Sequence, residues 1–294
     1  MKKILLVILA ALTLPLFGQP AEGETYRVFR SEVEVQLFRF GNFYQAREGA
    51  PEDDVAATGV EYRVAYRPTE SAPDIYANLN AVHYAADPSQ TTYGGRVGAS
   101  HYGDVHSFNV FVDHTENGYG FDIEETRATA NSTMAGGSYS YRIARNWQAG
   151  VEGLAERQRF DVADTGFEND YHNAGVQLRY RGFGRRLQPR IGYVTGEREV
   201  RNRVSSYDDR YWYVQVNSEL NARVNAALRY RDRTRDYQHV DRQDDRQQWL
   251  LRATIRQNQR IAWTASWTYE AVDSSRPGND FDTNVLFGGV IIGF

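Results

Sequence analysis

The sequence lacks cysteine altogether, has almost no lysine and contains a single long hydrophobic run. Without cysteine, the chain can form neither a disulfide framework nor the lipid-modified cysteine of a lipoprotein anchor. One hydrophobic run and 24% charged residues exclude a bundle of membrane-spanning helices. A formal net charge of −4 provides no general positive field, so no nucleic-acid partner is expected.

Aromatic residues and arginines, by contrast, are abundant. The chain has 20 Tyr, 14 Phe and 5 Trp, which is more aromatic surface than a disordered chain carries. Lys2 and Lys3 are the only lysines, so 32 of the 34 basic residues are arginine. The composition therefore predicts a folded protein whose positive charge is carried by guanidinium groups.

The N-terminus has the three parts of an export signal. Two lysines precede an apolar run over residues 4–17, and Ala21–Gly23 provides the small-x-small motif of a signal-peptidase site. This run is shorter than the ~20 residues that a membrane-spanning helix needs, which disfavours the alternative of a retained anchor. We therefore expect residues 1–23 to be a cleaved signal peptide and residues 24–294 to form the exported domain.

Apolar and polar residues alternate with period two along the exported part of the chain. In residues 261–270, Ile261, Trp263 and every second residue after them are apolar or aromatic, and the residues between them are polar or small. Residues 249–255 repeat the pattern, with Leu250 as the single large apolar residue on the polar face. Because successive side chains of a strand point to opposite faces, this pattern predicts strands with one apolar and one polar face.

The connections between these predicted strands alternate in length. Short turns are predicted at 145–146, 183–185, 219–221 and 257–259, and longer polar loops at 163–169, 200–206, 237–244 and 273–280. A soluble β-sandwich also alternates in polarity, but it shows no such difference between its two ends. Short turns at one end and long loops at the other are typical of a transmembrane β-barrel.

Counting back from the C-terminus gives about 14 strands. They are predicted at 25–42, 55–67, 74–85, 92–100, from near Val105, 133–144, 147–160, 170–181, 186–199, 207–218, 222–236, 245–256, 261–272 and 281–294. Within 106–133, Asn117-Gly118 also fits the turn of an additional hairpin, so 12 or 16 strands are alternatives. The expected fold class is all-β, a transmembrane antiparallel up-and-down β-barrel with an even number of strands.

The chain ends in GVIIGF, with Phe294 last and Leu286, Val290 and Ile292 at alternating positions before it. This ending resembles the C-terminal signature of bacterial outer-membrane β-barrel proteins. The chain is also broadly similar to Gram-negative porins, including pores of exopolysaccharide export systems that line their lumen with arginine. The resemblance implies an outer-membrane location, recognition of Phe294 by the barrel-insertion machinery, and contact with outer-membrane lipid and lipopolysaccharide. It also implies passage of an exopolysaccharide or another anionic solute.

Arginines and glutamates lie on the polar faces of the predicted strands. We expect the following residues to line the lumen: Arg179, Arg190, Arg223, Arg229, Arg231, Arg252, Arg256, Glu32, Glu34, Glu61 and Glu270. Either these side chains pair with one another and fill a narrow lumen, or they bound a water-filled passage that attracts anions. The mixed charges of segments 197–210 and 229–246 are expected to form solvated strand extensions above the membrane.

The histidines provide no clear catalytic arrangement. His106 precedes Ser107 and Asp113 precedes His114, but neighbouring residues of a strand point to opposite faces and cannot cooperate. His101, His106 and His114 are too loosely spaced to predict a metal site, and no cofactor motif is found. We therefore expect a non-enzymatic channel or export pore. A closed structural or interaction barrel is the alternative, and a hydrolase with its site at the barrel rim is the third hypothesis.

Overall fold

The computed structural model describes residues 28–41, 55–69, 71–85, 91–119, 129–160, 168–184, 186–201 and 206–294, so the predicted signal peptide lies outside it. Within these residues, fourteen antiparallel strands form one closed barrel, in which sequence neighbours pair and the first strand pairs with the last. No helix of this part of the chain is long and apolar enough to cross a membrane. The strands are β1 (Val28–Gly41), β2 (Val55–Arg67), β3 (Asp74–Tyr84), β4 (Thr91–Tyr102), β5 (His106–Tyr119), β6 (Thr129–Ala144), β7 (Trp147–Phe160), β8 (Glu168–Tyr180), β9 (Gln188–Val200), β10 (Tyr207–Glu219), β11 (Val224–Tyr237), β12 (Gln243–Arg256), β13 (Ile261–Ser274) and β14 (Phe281–Gly293).

The predicted all-β barrel of about 14 strands is confirmed, and Asn117-Gly118 does not close an additional hairpin. The register of β5 against β6 shifts here, because Thr115 pairs with Ser132 and Gly118 pairs with Ala130. Strand β5 therefore carries one extra residue at this point. Asn117 adopts a positive φ of 53°, a conformation that asparagine tolerates better than most residues. The Asn-Gly pair thus forms a β-bulge, and the strand continues beyond it.

Connections at one end of the barrel are on average shorter than those at the other, although 181–187 is longer than 238–242. The shorter set joins β2 to β3, β4 to β5, and so on to β12 and β13, and it shares its end with the start of β1 and the end of β14. We call this the turn end, and the opposite end the loop end. The shortest turn is 145–146 and the longest loop is 42–54. Outer-membrane barrels place short turns in the periplasm and long loops outside the cell, which is the orientation we expect here.

This orientation can be tested with inserted epitope tags. A tag after Pro277, in the loop-end connection between β13 and β14, is expected to bind antibody on intact cells. A tag after Asn258, in the turn between β12 and β13, is expected to bind antibody only after the outer membrane is opened. Binding to the Asn258 tag on intact cells, with the Pro277 tag inaccessible, would reverse the orientation.

The outer face of the barrel is apolar. Leu37, Val97 and Val176 point outward and are 63%, 59% and 59% exposed. Such large exposed apolar side chains, on strands around the barrel, are unfavourable in water and are stabilised by contact with lipid chains. Trp212 and Tyr230, on the outer face of β10 and β11, have ring centroids 5.3 Å apart. Aromatic rings with polar groups suit the headgroup level of a bilayer.

The barrel closes where β14 pairs with β1. Val290 pairs with Val35 in this ladder, and the backbone N–H of Phe294 donates to the carbonyl oxygen of Ser31 at 2.9 Å. The Phe294 ring lies at the turn end and is 55% exposed. The terminal residue therefore forms the last rung of the closing ladder and leaves its ring accessible.

Deleting Phe294 is expected to lower the amount of assembled barrel in the outer membrane several-fold, because it removes both the closing hydrogen bond and the exposed terminal ring. The measurement is heat-modifiable gel mobility of outer-membrane fractions. Phe183→Ala removes another exposed turn-end aromatic ring, 57% exposed, and is expected to assemble normally. Equal assembly of the deletion and the control would contradict a role for Phe294 in insertion.

A small apolar core lies inside the barrel, near the loop end of β1 to β3. Val55, Ala57 and Tyr84 are buried there, and Phe38 and Phe40 pack against them. This core stiffens one wall of the barrel, while the charged side chains lie mainly on the strands that follow.

Candidate functional site

The inner face of the barrel carries the predicted polar residues. In β1, Glu34 is 1% exposed while its neighbour Val35 is 47% exposed, which identifies the two faces. By the same alternation and register, ten of the eleven residues predicted to line the lumen occupy inner-face positions: Arg179, Arg190, Arg229, Arg231, Arg252, Arg256, Glu32, Glu34, Glu61 and Glu270. Arg223 instead lies exposed in the turn between β10 and β11. Their role as the lining of a passage stays a prediction.

The number of strands sets the width of the barrel. Fourteen tilted strands about 4.8 Å apart enclose a backbone cylinder about 28 Å across. Inner side chains on strands up to three apart form hydrogen bonds with one another. The hydroxyl of Tyr213 in β10, for example, donates to Glu152 in β7 at 2.9 Å. A cylinder this wide can enclose a lumen.

Near the loop end, the inner face of β8 to β11 carries a buried ion-pair network built around Asp209. Asp209 is fully buried and accepts hydrogen bonds from both Nε and a terminal nitrogen of Arg233. The hydroxyl of Tyr171 donates to Asp209 at 2.8 Å. The guanidinium of Arg235, 2% exposed, lies 4.5 Å from the ring centroid of Tyr207.

A second carboxylate, Asp244, forms a similar network beside the first. Nε and a terminal nitrogen of Arg242 donate to its two oxygens at 2.8 and 2.7 Å. The hydroxyl of Ser274 donates to Asp244 at 2.6 Å, and Arg246 lies 3.6 Å from it and 3.8 Å from Glu270. We call the two networks together the loop-end cluster. Its bidentate, charge-assisted hydrogen bonds fix the positions of these side chains.

The loop-end cluster corrects the prediction that segments 197–210 and 229–246 are solvated throughout. That prediction is wrong for the inward-facing residues, since Arg198, Asp209 and Arg235 are buried. It holds for Asp208 and Arg210, which face outward and are exposed. Alternate residues of one charged strand thus belong to two different environments.

Two of the predicted glutamates are also paired. A terminal nitrogen of Arg63 lies 2.6 Å from Glu34, and Arg63 donates to both oxygens of Glu61 at 2.7 and 2.8 Å. Arg63 was not among the predicted residues, although it stands two positions from Glu61 on the same face of β2. This spacing was the signal in the sequence that could have identified it.

Four predicted arginines are half-buried and have no carboxylate partner, whereas Arg252 and Arg256 are exposed. Within the described part of the chain, no acidic oxygen lies within 4.0 Å of the guanidinium groups of Arg179, Arg190, Arg229 and Arg231. Arg179 and Arg190 donate to glutamine side chains instead. Positive charge on this wall is therefore not neutralised locally.

The turn end of the same wall is open to solvent. A cavity there is lined by Gln188, Asn217, Asn225, Arg252 and Thr254, among others. Arg252 is exposed although it points inward, so solvent reaches the inner face at this depth. The inner surface thus changes from buried ion pairs near the loop end to accessible cationic side chains near the turn end.

The histidines of the described residues lie apart from any nucleophile arrangement. The ring of His114 faces outward and contacts the hydroxyl of Thr133 at 2.9 Å. Ser107 faces inward and donates to the carbonyl of Gly103 at 3.3 Å. Among these residues, no group of three or more metal-binding side chains is positioned to hold an ion.

Comparison with known proteins defines the class. Residues 197–294 match the family model described as "Putative beta-barrel porin 2", which covers β10 to β14 and the end of β9. None of the curated proteins matches the chain. The "Bacterial polysaccharide outer membrane secretin" has a similar fold, with a TM-score of 0.52 and 10% identity over 90% of this chain and 97% of that one.

Two further solved barrels are similar at lower TM-scores. "Outer-membrane expressed OmpT of Vibrio cholerae" gives 0.48 at 10% identity, over 91% of this chain and 97% of that one. "Anion-selective porin from Comamonas acidovorans" gives 0.45 at 10% identity, over 91% and 99%. The closed barrel, its apolar outer face and the family match over residues 197–294 identify a bacterial outer-membrane β-barrel.

Proposed function

We propose that this protein is an outer-membrane channel that passes anionic solutes along its arginine-bearing wall and catalyses no reaction. The observation that carries the proposal is the set of four inner arginines, Arg179, Arg190, Arg229 and Arg231, without carboxylate partners among the described residues. Unneutralised guanidinium groups in a confined, solvent-accessible space raise the local concentration of anions.

The two hypotheses for the inner charges apply to different depths in this proposal. Near the loop end, the acids pair with arginines and shape the wall. Towards the turn end, arginines outnumber the acids that can reach them, and these arginines set the selectivity. Small anions and the chain of an acidic exopolysaccharide both fit this chemistry. Outer-membrane lipid and lipopolysaccharide around the apolar face, and the insertion machinery at Phe294, are the other proposed partners.

A closed structural barrel is the second candidate function. The observation that favours it is the complete burial of Asp209 and Asp244, since a wall of buried ion pairs also suits a filled lumen. The two candidates differ in whether solutes cross the membrane.

Liposome swelling separates them. Proteoliposomes that contain valinomycin to carry potassium are expected to swell faster in potassium gluconate than in an uncharged sugar of similar size. They are expected to swell more slowly in the chloride salt of an organic cation of that size. Swelling at the rate of protein-free liposomes in every solute would favour the closed barrel. Swelling at rates that do not depend on the charge of the solute would show an open pore without a preference for anions.

A further inference from the structure

Four arginines and two glutamines form one row across the inner face of β6 to β11. Successive members are direct cross-strand partners, and in order they are Arg142, Gln148, Arg179, Arg190, Gln215 and Arg229. We call this set the arginine row. Strands lie about 4.8 Å apart, so Arg179 and Arg190, on adjacent strands, are its closest pair of charges.

Like charges directly opposite each other destabilise a sheet, and arginine cannot relieve the repulsion by losing its proton. The fold nevertheless holds Arg179 and Arg190 in place through neutral acceptors. Arg190 donates to Gln177 at 2.9 Å and to Gln215 at 2.6 Å, and Arg179 donates to Gln188. Glutamine fixes the direction of a guanidinium group without cancelling its charge.

Hydrogen-bonding capacity is left over at this pair. Gln148, beside Arg179 in the row, is 1% exposed, and neither its Nε2 nor its Oε1 has a partner. Nε of Arg190 is also buried without an acceptor. Glu152, on the same inner face, accepts a hydrogen bond from Tyr213 at 2.9 Å. Oriented donors with unmet capacity and a double positive charge match an acceptor that carries two negative charges.

We propose that Arg179 and Arg190, with Gln148 beside them, form a binding subsite for a tetrahedral dianion, the chemistry of phosphate and sulfate groups. The inference deepens the proposed function and rests on it for the access of anions to this wall. The dianion offers oxygens to both guanidinium forks at once and relieves their mutual repulsion. A free ion and an ester group on a larger solute share this chemistry.

The subsite is tested by calorimetric titration of the detergent-solubilised full chain with inorganic phosphate at pH 8, at constant ionic strength set by chloride. Saturable binding of one phosphate per barrel is expected. The Arg179→Gln, Arg190→Gln double variant is expected to bind about tenfold or more weakly. Arg157→Gln, which removes an outward arginine paired with Asp170, is the matched control and should bind like the parent. Glycerol phosphate in a parallel titration distinguishes an ester from the free ion.

Absence of saturable phosphate binding by the parent chain would overturn the subsite, as would equal affinity in the double variant and the parent. If the double variant fails to assemble, Gln148→Leu and Arg179→Gln are measured singly, and unchanged affinity in both overturns it. Phosphate binding in a protein that passes no solute would instead refute only the proposed channel. Anion passage without phosphate binding would refute only the subsite.

Discussion

Replacing Asp209 by alanine is expected to lower the free energy of unfolding of the barrel by about 3–5 kcal/mol. Asp209 is fully buried, and its two oxygens accept hydrogen bonds from Arg233 and Tyr171. Without the carboxylate, Arg233 is left as a buried charge that has lost its bidentate acceptor. The measurement is the urea dependence of the folded fraction, read from the heat-modifiable gel shift in detergent or lipid.

The neighbouring residue provides a matched control. Asp208 lies on the same strand, faces outward and is exposed, so Asp208→Ala is expected to change stability by about 0.5 kcal/mol or less. Asp209→Asn keeps the shape but not the charge and should lie between the two. Equal stability of the Asp208 and Asp209 variants would show that the loop-end cluster does not hold the wall together.

Replacing Arg229 and Arg252 by glutamate is expected to move the selectivity of the channel from anions towards cations. Neither guanidinium has a described carboxylate within 4.0 Å, so the exchange breaks no ion pair and should leave stability near that of the parent. Each change replaces a positive by a negative charge on the accessible part of the inner wall. The reversal potential of a single barrel in a planar bilayer under a salt gradient reports the shift.

The effect should depend on ionic strength. The Debye length falls from about 30 Å at 0.01 M salt to about 3 Å at 1 M, so parent and variant should differ most in dilute salt. The outer-face double variant Arg157→Glu, Arg210→Glu changes the charge of the barrel equally and should leave the reversal potential unaltered. A similar shift in this control would assign selectivity to the overall charge of the barrel, and no shift in the double variant would exclude these arginines from the passage.

The sequence predicts the barrel well because strand faces depend on a local rule. Alternation alone assigns Trp249 to the lipid face and Arg252 to the inner face, and it does so despite the apolar Leu250 between polar positions. The bulge at Asn117, unlike the strand faces, does not follow from a local rule. The same dipeptide suits a hairpin turn and a bulge, and only pairing of Thr115 and Gly118 with β6 decides between them.

The pairing of inner charges could not be predicted in the same way. Tyr171 in β8 reaches Asp209 in β10 across β9, and Gly196, the β9 partner of Asp209, has no side chain to intervene. Such a contact depends on the registers of two ladders at once, which no local pattern in the sequence specifies. The division of the arginines into paired and unpaired sets therefore emerges only from the closed barrel.

This division assigns different proposed roles to the paired and the unpaired arginines. In the loop-end cluster, Asp209 pairs with Arg233, and Asp244 pairs with Arg242 and Arg246. These ion pairs hold one wall in a fixed shape. The arginines nearer the turn end are left to interact with whatever enters. Arginines that stabilise the wall thus lie nearer the loop end, and arginines proposed to contact solutes lie nearer the turn end of the same inner surface.

The reversal potential of the unmodified protein tests this account most directly. Single barrels in a planar bilayer are placed in a tenfold gradient of potassium chloride, with the dilute side near 0.01 M. We expect stable current steps and a reversal potential whose sign shows that chloride carries most of the current. No current, or a reversal potential of the opposite sign, would contradict it.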